Sequence, residues 1–147
     1  MKALIQRVQS ASVAVDGQQI SSIGAGMLIF LGASREDSSE VARNLAVRLS
    51  KFRIFEDDAG KMNLSLLDAG AAALVVSQFT LCADLSRGNR PSFGPAAEPR
   101  IAEELYEIFA SALAETGVPV STGKFGADMK VALINDGPVT FLVQEPR

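Results

Sequence analysis

Residues 74–81, with the sequence LVVSQFTL, constrain the fold more than any other stretch of the chain. The stretch opens with three consecutive aliphatic residues, two of them β-branched, a pattern typical of a strand buried on both faces. Ser77, Gln78 and Thr80 then place two hydroxyls and an amide around the ring of Phe79. A purely structural strand has little reason to bear the cost of desolvating these groups. The stretch therefore predicts a buried strand that runs into a functional site.

The size and composition of the chain predict one globular domain over residues 1–147. A chain of this length can bury roughly two-thirds of its unfolded surface, and 48% apolar with 21% charged residues is a globular rather than a disordered composition. The longest apolar runs, such as residues 27–31, are far too short to span a membrane. Polar residues interrupt the first seven positions, where a secretory signal needs an apolar core. We expect a cytosolic protein with no membrane partner.

The chain contains no histidine and only one cysteine, Cys82. Neither a Ser-His-Asp nor a Cys-His arrangement can form from these residues, and neither can an ordinary zinc site. Asp57 and Asp58 lie beside a glycine, a pattern more typical of a turn than of a metal site. We therefore expect no cofactor and no metal. Catalysis would use backbone N–H groups, hydroxyls, carboxylates or a group on the substrate.

Apolar periodicity predicts an α+β domain. Alternating residues indicate strands over residues 4–8 and 12–15, and Asp16-Gly17 indicates a tight hairpin into residues 18–23. Apolar or alternating runs predict further strands at 27–31, 52–55, 118–121, 129–134 and 139–143. Together these elements predict a mainly antiparallel sheet or partial barrel, with two helices packed on one face.

Two helices and one long loop complete the predicted fold. The first helix is predicted to begin at Asp37, whose carboxylate can cap it while Glu40 reaches back. Pro99 suits the first turn of the second helix, and Gly117 suits its end. Between them, residues 86–99 contain three prolines, two glycines and no periodicity, which predicts a long loop. Long ordered loops are often functional.

Residues 77–81 (SQFTL) and 135–140 (NDGPVT) resemble the motifs SQFTL and NxGPVT of the D-aminoacyl-tRNA deacylase family. The resemblance extends over nearly the whole chain through RV at 7–8, ASV at 11–13, RIF at 53–55, GKMN at 60–63, RPSF at 90–93, and GKFG at 123–126 with Met129. It implies a homodimeric enzyme that binds the aminoacylated 3′ adenosine of tRNA. Such an enzyme hydrolyses the ester of a D-aminoacyl-tRNA as a proofreading step.

The catalytic candidates are Ser77, Gln78, Phe79 and Thr80. The backbone N–H groups around Phe79 and Thr80 could stabilise the developing oxyanion. The resemblance suggests that the 2′-hydroxyl of the terminal adenosine activates the water, although the Thr80 hydroxyl could orient that water instead. Ser77 and Gln78 would bind the adenosine or its ribose. The structural alternative is that the Ser77 and Thr80 hydroxyls only satisfy nearby backbone groups.

The resemblance assigns chiral selection to Gly137 and Pro138. In the family, a Gly-cis-Pro pair reaches from one subunit into the active site of its two-fold partner and faces the chiral centre of the substrate. A rigid backbone wall excludes an L-aminoacyl group without recognising any D side chain, so glycine carried on tRNA-Ala should also be cleaved. The alternatives are a relative whose Gly-Pro bond is trans and whose chirality is relaxed, or an ordinary Asp-Gly hairpin turn.

Further substrate-binding candidates are less specific, because each could be an ordinary core residue. Phe79 and Met129 could line an adenine pocket. Arg7 could hold the Gln78 loop by hydrogen bonds, or it could be exposed. Weaker candidates are Phe93, Phe125 and Ala102.

The net charge is −3 and the pI is near 5.0, which argues against a protein that coats nucleic acid through its overall field. The same balance counts against a rival interpretation, a non-catalytic nucleic-acid-binding module. A protein that binds only the acceptor end of tRNA needs few phosphate contacts, so a negative net charge is compatible with this substrate. Six basic residues could form a local patch or be scattered solvated charges: Arg7, Arg87, Arg90, Arg100, Lys124 and Lys130.

Overall fold

The computed structural model describes residues 1–146, in which a mixed sheet carries two α-helices. In chain order the elements are β1 (Lys2–Val15), β2 (Gln18–Ile23), β3 (Gly26–Gly32), α1 (Ser39–Ser50), β4 (Phe55–Glu56), β5 (Met62–Leu64), β6 (Ala72–Ser77), a 3-10 helix (Phe79–Cys82), α2 (Pro99–Glu115), β7 (Val120–Thr122) and β8 (Lys130–Gln144). Within this part of the chain, no helix is both long and apolar enough to span a membrane.

Strand β1 is the centre of the sheet because three other strands pair with it. Strands β2, β3 and β8 all run antiparallel to β1. Strand β6 runs parallel to β3, and β7 runs parallel to β6. The two parallel pairs arise because α1 and α2 lie in the crossover connections between those strands. The sheet curls nearly into a barrel, which confirms the predicted fold class.

Strand β6 is buried on both faces, as its sequence predicts. Val75 faces the core shared with both helices, where Phe109 and Leu113 of α2 are fully buried. Leu74 and Val76 point the other way, into a second apolar cluster inside the curled sheet. The alternation follows from the period of two along a strand. Because both faces are covered, β6 is held rigidly up to the point where its polar residues begin.

The predicted start of α1 is wrong by one residue. Ser38, not Asp37, caps the helix, and its hydroxyl accepts a hydrogen bond from Val41 N at 3.3 Å. The Asp37 carboxylate is already engaged, since it accepts from Ser34 N at 2.6 Å. The prediction for α2 is confirmed, with Pro99 in its first turn.

The strand predicted at residues 52–55 is also misplaced. The observed strand is Phe55–Glu56, which pairs with Met62–Leu64. In the intervening turn, Asp57 accepts hydrogen bonds from Lys61 N and Ala59 N, and these bonds, that of Lys61 most, lower the pKa of the Asp57 carboxyl. Asp57 is therefore a turn former.

The strands predicted at residues 129–134 and 139–143 are a single strand, β8 (Lys130–Gln144), and not two strands joined by a hairpin. Both halves of β8 pair antiparallel with β1, so the chain keeps its direction through Asp136-Gly137. Asn135 pairs with Val8 and Thr140 pairs with Gln6, which leaves residues 136–139 opposite a single β1 residue. The hairpin alternative is therefore wrong. The extra residues bulge out of the strand.

Candidate active site

A cavity of about 460 Å³ opens where β6 ends, between the sheet and α2. Strands β3 and β6 are parallel and both deliver residues to it from their carboxyl ends, the usual position of a ligand site in a parallel sheet. Six of the predicted site residues line this cavity together: Ser77, Gln78, Phe79, Ala102, Phe125 and Met129. These six residues, from stretches distant in sequence, are thus brought together around one cavity.

The catalytic segment, named here for the catalytic candidates among residues 77–81, turns away from the sheet directly after Ser77. Gln78 N still donates to Leu31 O at 2.8 Å, and the chain then enters the 3-10 helix at Phe79. The first N–H groups of a helix, here those of Phe79 and Thr80, have no acceptor within that helix. The segment thus combines a fixed start with backbone donors that are available to a ligand.

The hydroxyl of Thr80 is oriented by a side chain. Gln78 Nε2 donates to Thr80 Oγ1 at 2.6 Å. The Thr80 hydroxyl hydrogen remains available to a substrate atom or a water, since a hydroxyl both donates and accepts. Thr80 is exposed and lies beside the residues that line the cavity. The alternative in which this hydroxyl only satisfies backbone groups does not hold for Thr80.

Gly32 allows the catalytic segment to pack directly on β3. A Cβ at this position would lie 2.9 Å from the carbonyl oxygen of Gln78, and 3.1 Å from both Cys82 Sγ and Leu81 Cβ. Cys82 is itself buried. The absence of a side chain at Gly32 therefore sets the height of the catalytic segment above the sheet.

Aromatic side chains lie at both ends of the cavity. Phe79 is 54% exposed, and its ring meets the edge of Phe93 with 4.9 Å between ring centroids. At the other end, Phe125 packs against Tyr106 at 5.9 Å. The Tyr106 hydroxyl donates to Val75 O at 2.9 Å, and burial raises the pKa of this phenol. Tyr106 thus links the wall of the cavity to the buried strand.

Sequence reasoning did not assign Tyr106 to the site. A signal was available, because Tyr106 follows Ala102 by four residues in α2 and so lies on the same face of the helix.

Met129 is held in the cavity by the loop after β7. Its sulfur accepts a hydrogen bond from Lys124 N at 3.4 Å. A Cβ at Gly123 would lie only 2.7 Å from that sulfur, so a side chain at this position would displace the flexible thioether from its place against the loop. The side chain presents a polarisable, adaptable surface to the cavity.

Arg7 matches neither sequence-based alternative. It is only 5% exposed, and its hydrogen-bond and ion-pair partners among residues 1–146 do not include the Gln78 loop. Its Nε donates to Asp136 O at 2.9 Å and its Nη1 donates to Ile54 O at 2.8 Å. The bulge in β8 leaves the Asp136 carbonyl without a ladder partner, and Arg7, which lies opposite, supplies one. Arg7 therefore supports the segment that carries Gly137.

Asn135 closes the base of the same segment, a role that sequence reasoning did not assign. Asn135 Oδ1 accepts from Val139 N at 2.7 Å, and Nδ2 donates to Thr140 Oγ1 at 2.9 Å. The first and last residues of the NDGPVT motif are thus bound to each other. Gly137 and Pro138 between them are exposed, and the bond that joins them is cis.

Gly137 and Pro138 do not line the cavity of their own chain. Along β8, Asn135 at the base of the bulge lies four residues beyond Val131, which does line the cavity. Four extended residues span roughly 13 Å. The candidate residues therefore form two groups, one around the cavity and one on the bulge.

A family model described as D-Tyr-tRNA(Tyr) deacylase matches residues 4–144. The chain belongs to this family. Proteins named D-aminoacyl-tRNA deacylase from Cereibacter sphaeroides (strain ATCC 17029 / ATH 2.4.9) and Ruegeria pomeroyi are 57% and 58% identical to it. These matches cover 98% and 95% of this chain, and 99% and 97% of the relatives. The resemblance seen in the two motifs is confirmed, and with it the enzyme class.

Two solved structures are similar along almost their whole length. One, described as c-Myc DNA Unwinding Element Binding Protein, is 42% identical with a TM-score of 0.95 and full coverage of both chains. The other, described as a probable eukaryotic D-amino acid tRNA deacylase, has a TM-score of 0.81 at 16% identity and covers 97% of each chain. At that identity the second match shows the fold.

Proposed function

We propose that this protein hydrolyses the ester bond of D-aminoacyl-tRNA in the cytoplasm and releases the D-amino acid and free tRNA. One observation carries the proposal: the family motif at residues 77–79 lines a single cavity together with Ala102, Phe125 and Met129. Binding alone separates small chemical differences poorly, which is why translation uses a second hydrolytic step.

In this proposal the cavity holds the 3′-terminal adenosine. Its volume of about 460 Å³ lies within the range of small-molecule sites, and its lining is mainly apolar with a few polar groups. Met129 and Phe125 would contact the base. Ser77 and Gln78 would bind the ribose, which places the ester beside Phe79.

Hydrolysis then needs only a modest device, because an aminoacyl ester is already reactive. The N–H groups of Phe79 and Thr80 would stabilise the oxyanion that forms when water attacks the carbonyl. The 2′-hydroxyl of the adenosine would accept the proton from that water as it passes its own proton to the 3′ oxygen, which leaves as the ester bond breaks, while the Gln78-bound hydroxyl of Thr80 is the alternative group for orienting the water. A tRNA ending in 2′-deoxyadenosine should be cleaved far more slowly. An unchanged rate would exclude assistance by the substrate.

Chiral selection would come from Gly137 and Pro138 of a second subunit. They are exposed on a bulge braced by Arg7 and Asn135, and they stand apart from their own cavity. Docked against the partner's cavity, their backbone would clash with an L-aminoacyl group and tolerate any D side chain. Glycyl-tRNA mischarged on tRNA-Ala would also be cleaved, because glycine has no chirality to reject.

The proposal requires a two-fold homodimer, and the surface of β8 supports one. Ile134, Phe141 and Leu142 are exposed at 56%, 42% and 64%. Within residues 1–146, β8 pairs only with β1, so its other edge offers free backbone groups. Such a face is suited to an isologous contact with a second copy.

Complementation between two variants tests the shared site. Ala102→Phe fills the cavity, while Gly137→Ala adds a Cβ that would lie 2.7 Å from Val139 Cγ2. Each variant alone should lose chirally selective hydrolysis. Each mixed dimer should regain one site in which both halves are intact. If mixing restores nothing while both variants still dimerise, the two groups of residues do not form one site.

A non-catalytic nucleic-acid-binding module is the second candidate, because the solved structure that is 42% identical is described as a DNA-binding protein. Steady hydrolysis of D-Tyr-tRNA would exclude it. Equal cleavage of D-Tyr-tRNA and L-Tyr-tRNA would instead exclude chiral proofreading.

A further inference from the structure

The rim of the cavity is formed by a loop that is fixed at both ends. At its start, Asp84 and Ser92 exchange two backbone hydrogen bonds of 2.7 and 3.0 Å. Phe93 follows at once and contacts Phe79 of the catalytic segment. Farther along, Ala97 and Pro99 line the cavity. The loop therefore has a defined position beside the mouth of the site.

This rim is cationic on an acidic protein. Residues 85–97 contain Arg87 and Arg90 and no acidic residue, whereas the whole chain has a net charge of −3. Both arginines are exposed, and neither makes an ion pair with any residue from 1 to 146. Two carboxylates flank this stretch. Asp84, at its start, is bound within the loop by Ser86 N at 2.9 Å, and Glu98, at its end, is the exposed N-cap residue of α2. Hydrogen bonds from Ser86 lower the pKa of Asp84.

Arg100 and Lys124 are also exposed and in no ion pair with residues 1–146, but they lie on α2 and after β7, outside the loop, and the remaining two candidates are engaged elsewhere. Arg7 is buried beneath the bulge. Lys130 is paired with Asp128 at 3.0 Å. Within the described residues 1–146, Arg87 and Arg90 are therefore the two unpaired cations on the segment that forms the rim.

We propose that Arg87 and Arg90 bind the phosphates of the tRNA acceptor strand next to the terminal adenosine. The inference rests on the proposed function, which places that adenosine in the cavity. Arg90 is three residues from Phe93, a reach of at most about 10 Å, so it lies close to the first phosphates outside the mouth. Guanidinium groups bind phosphate with two parallel hydrogen bonds. The loop thus grips the backbone of the strand whose end enters the cavity.

The test compares two substrates that differ in phosphates. D-Tyr-tRNA carries the acceptor strand, whereas D-tyrosyl-adenosine has the ester and no phosphate. The test variant is Arg87→Ala/Arg90→Ala. The matched control, Arg43→Ala/Lys51→Ala, removes the same charge from exposed positions of α1 and its C-cap. For each protein, kcat/KM is measured from low to high KCl concentration.

The expected loss is confined to the tRNA substrate. At low salt the test variant should lose at least about tenfold in kcat/KM on D-Tyr-tRNA, through KM. Its slope of log kcat/KM against log[KCl] should be shallower by about 1.4, since a single-stranded phosphate contact contributes about 0.7. Its turnover of D-tyrosyl-adenosine and the behaviour of the control should match the parent protein within about twofold.

Three results would overturn the inference. One is an unchanged salt slope in the test variant. Another is an equal loss on D-tyrosyl-adenosine, which would mean that the loop acts on the cavity through Phe93. The third is an equal loss in the control, which would mean that only the overall charge matters. If no protein hydrolyses either ester, the proposed function fails by itself, and filter binding of uncharged tRNA over the same salt series still tests Arg87 and Arg90.

Discussion

Replacing Gly32 with alanine should slow catalysis while leaving the fold intact. The new Cβ would lie 2.9 Å from the carbonyl oxygen of Gln78, where ordinary contact begins at 3.4 Å. The nearest atoms belong to the backbone and to the buried Cys82, so the catalytic segment has to move by about half an ångström. A displacement of 1 Å can cost about 100-fold in rate, so half of that predicts a loss of roughly tenfold.

The assay separates positioning from stability. Hydrolysis of D-Tyr-tRNA should show kcat reduced roughly tenfold, with KM changed little because the cavity walls at Met129 and Ala102 are untouched. Urea denaturation should show destabilisation of about 1–3 kcal/mol, the usual cost of overpacking. Gly24→Ala is the matched control, since a Cβ there meets nothing within 4 Å.

Full activity in a destabilised Gly32→Ala protein would refute the idea that this glycine sets the position of the catalytic segment. An equal loss of kcat in Gly24→Ala would refute it as well, since that substitution adds no contact.

Three further predictions follow from the bulge and from the wall of the cavity. Arg7→Ala removes two hydrogen bonds from a buried cation, each worth about 1.5–3 kcal/mol, so we expect a lower free energy of unfolding and a smaller D-to-L ratio of cleavage. Unchanged discrimination in this variant would show that Arg7 is only structural. Asn135→Ala opens the base of the bulge, and we expect a loss of about 1–3 kcal/mol in urea with the same fall in discrimination. Tyr106 is the only tyrosine, so absorbance titration reports it directly and should give a midpoint above the ordinary pKa of 10.0. Because the folded pKa of Tyr106 is the higher one, its contribution to stability is present below pH 10 and is lost as pH rises through the folded value; Tyr106→Phe should remove that part of the pH dependence.

Local patterns could predict the part of the site that lies next to a strand. Three aliphatic residues followed by Ser77 and Gln78 indicate a buried strand that ends in polar groups, and the structure has this arrangement. The hairpin at Asp16-Gly17 was equally readable, and both residues have positive φ values of 51° and 77°. In these cases the decisive interactions lie within a few residues of each other.

Pairing between strands that are distant in sequence determined the features that local patterns did not predict. Asp136-Gly137 reads locally as a hairpin, and only the pairing of both halves of β8 with β1 turns it into a bulge. The partner of Arg7 depends on that bulge, so no local pattern could have indicated it. At α1 the two candidate N-cap residues, Asp37 and Ser38, are neighbours and are equally good caps by residue type. The sequence did not show that Asp37 binds Ser34 N instead, which leaves Ser38 as the cap.

Because Gly137 and Pro138 are separate from their own cavity, chiral selectivity and ester hydrolysis could be lost independently. On the proposed assembly, a lone subunit keeps its pocket for the nucleoside and its ester-cleaving amides but lacks the wall that spares correct substrates. Dilution to single subunits would then leave an enzyme that still hydrolyses aminoacyl-tRNA but no longer spares L-aminoacyl-tRNA. It would release the amino acids that protein synthesis needs. Subunit association would in that case protect the cell from the enzyme as much as it creates the enzyme's selectivity.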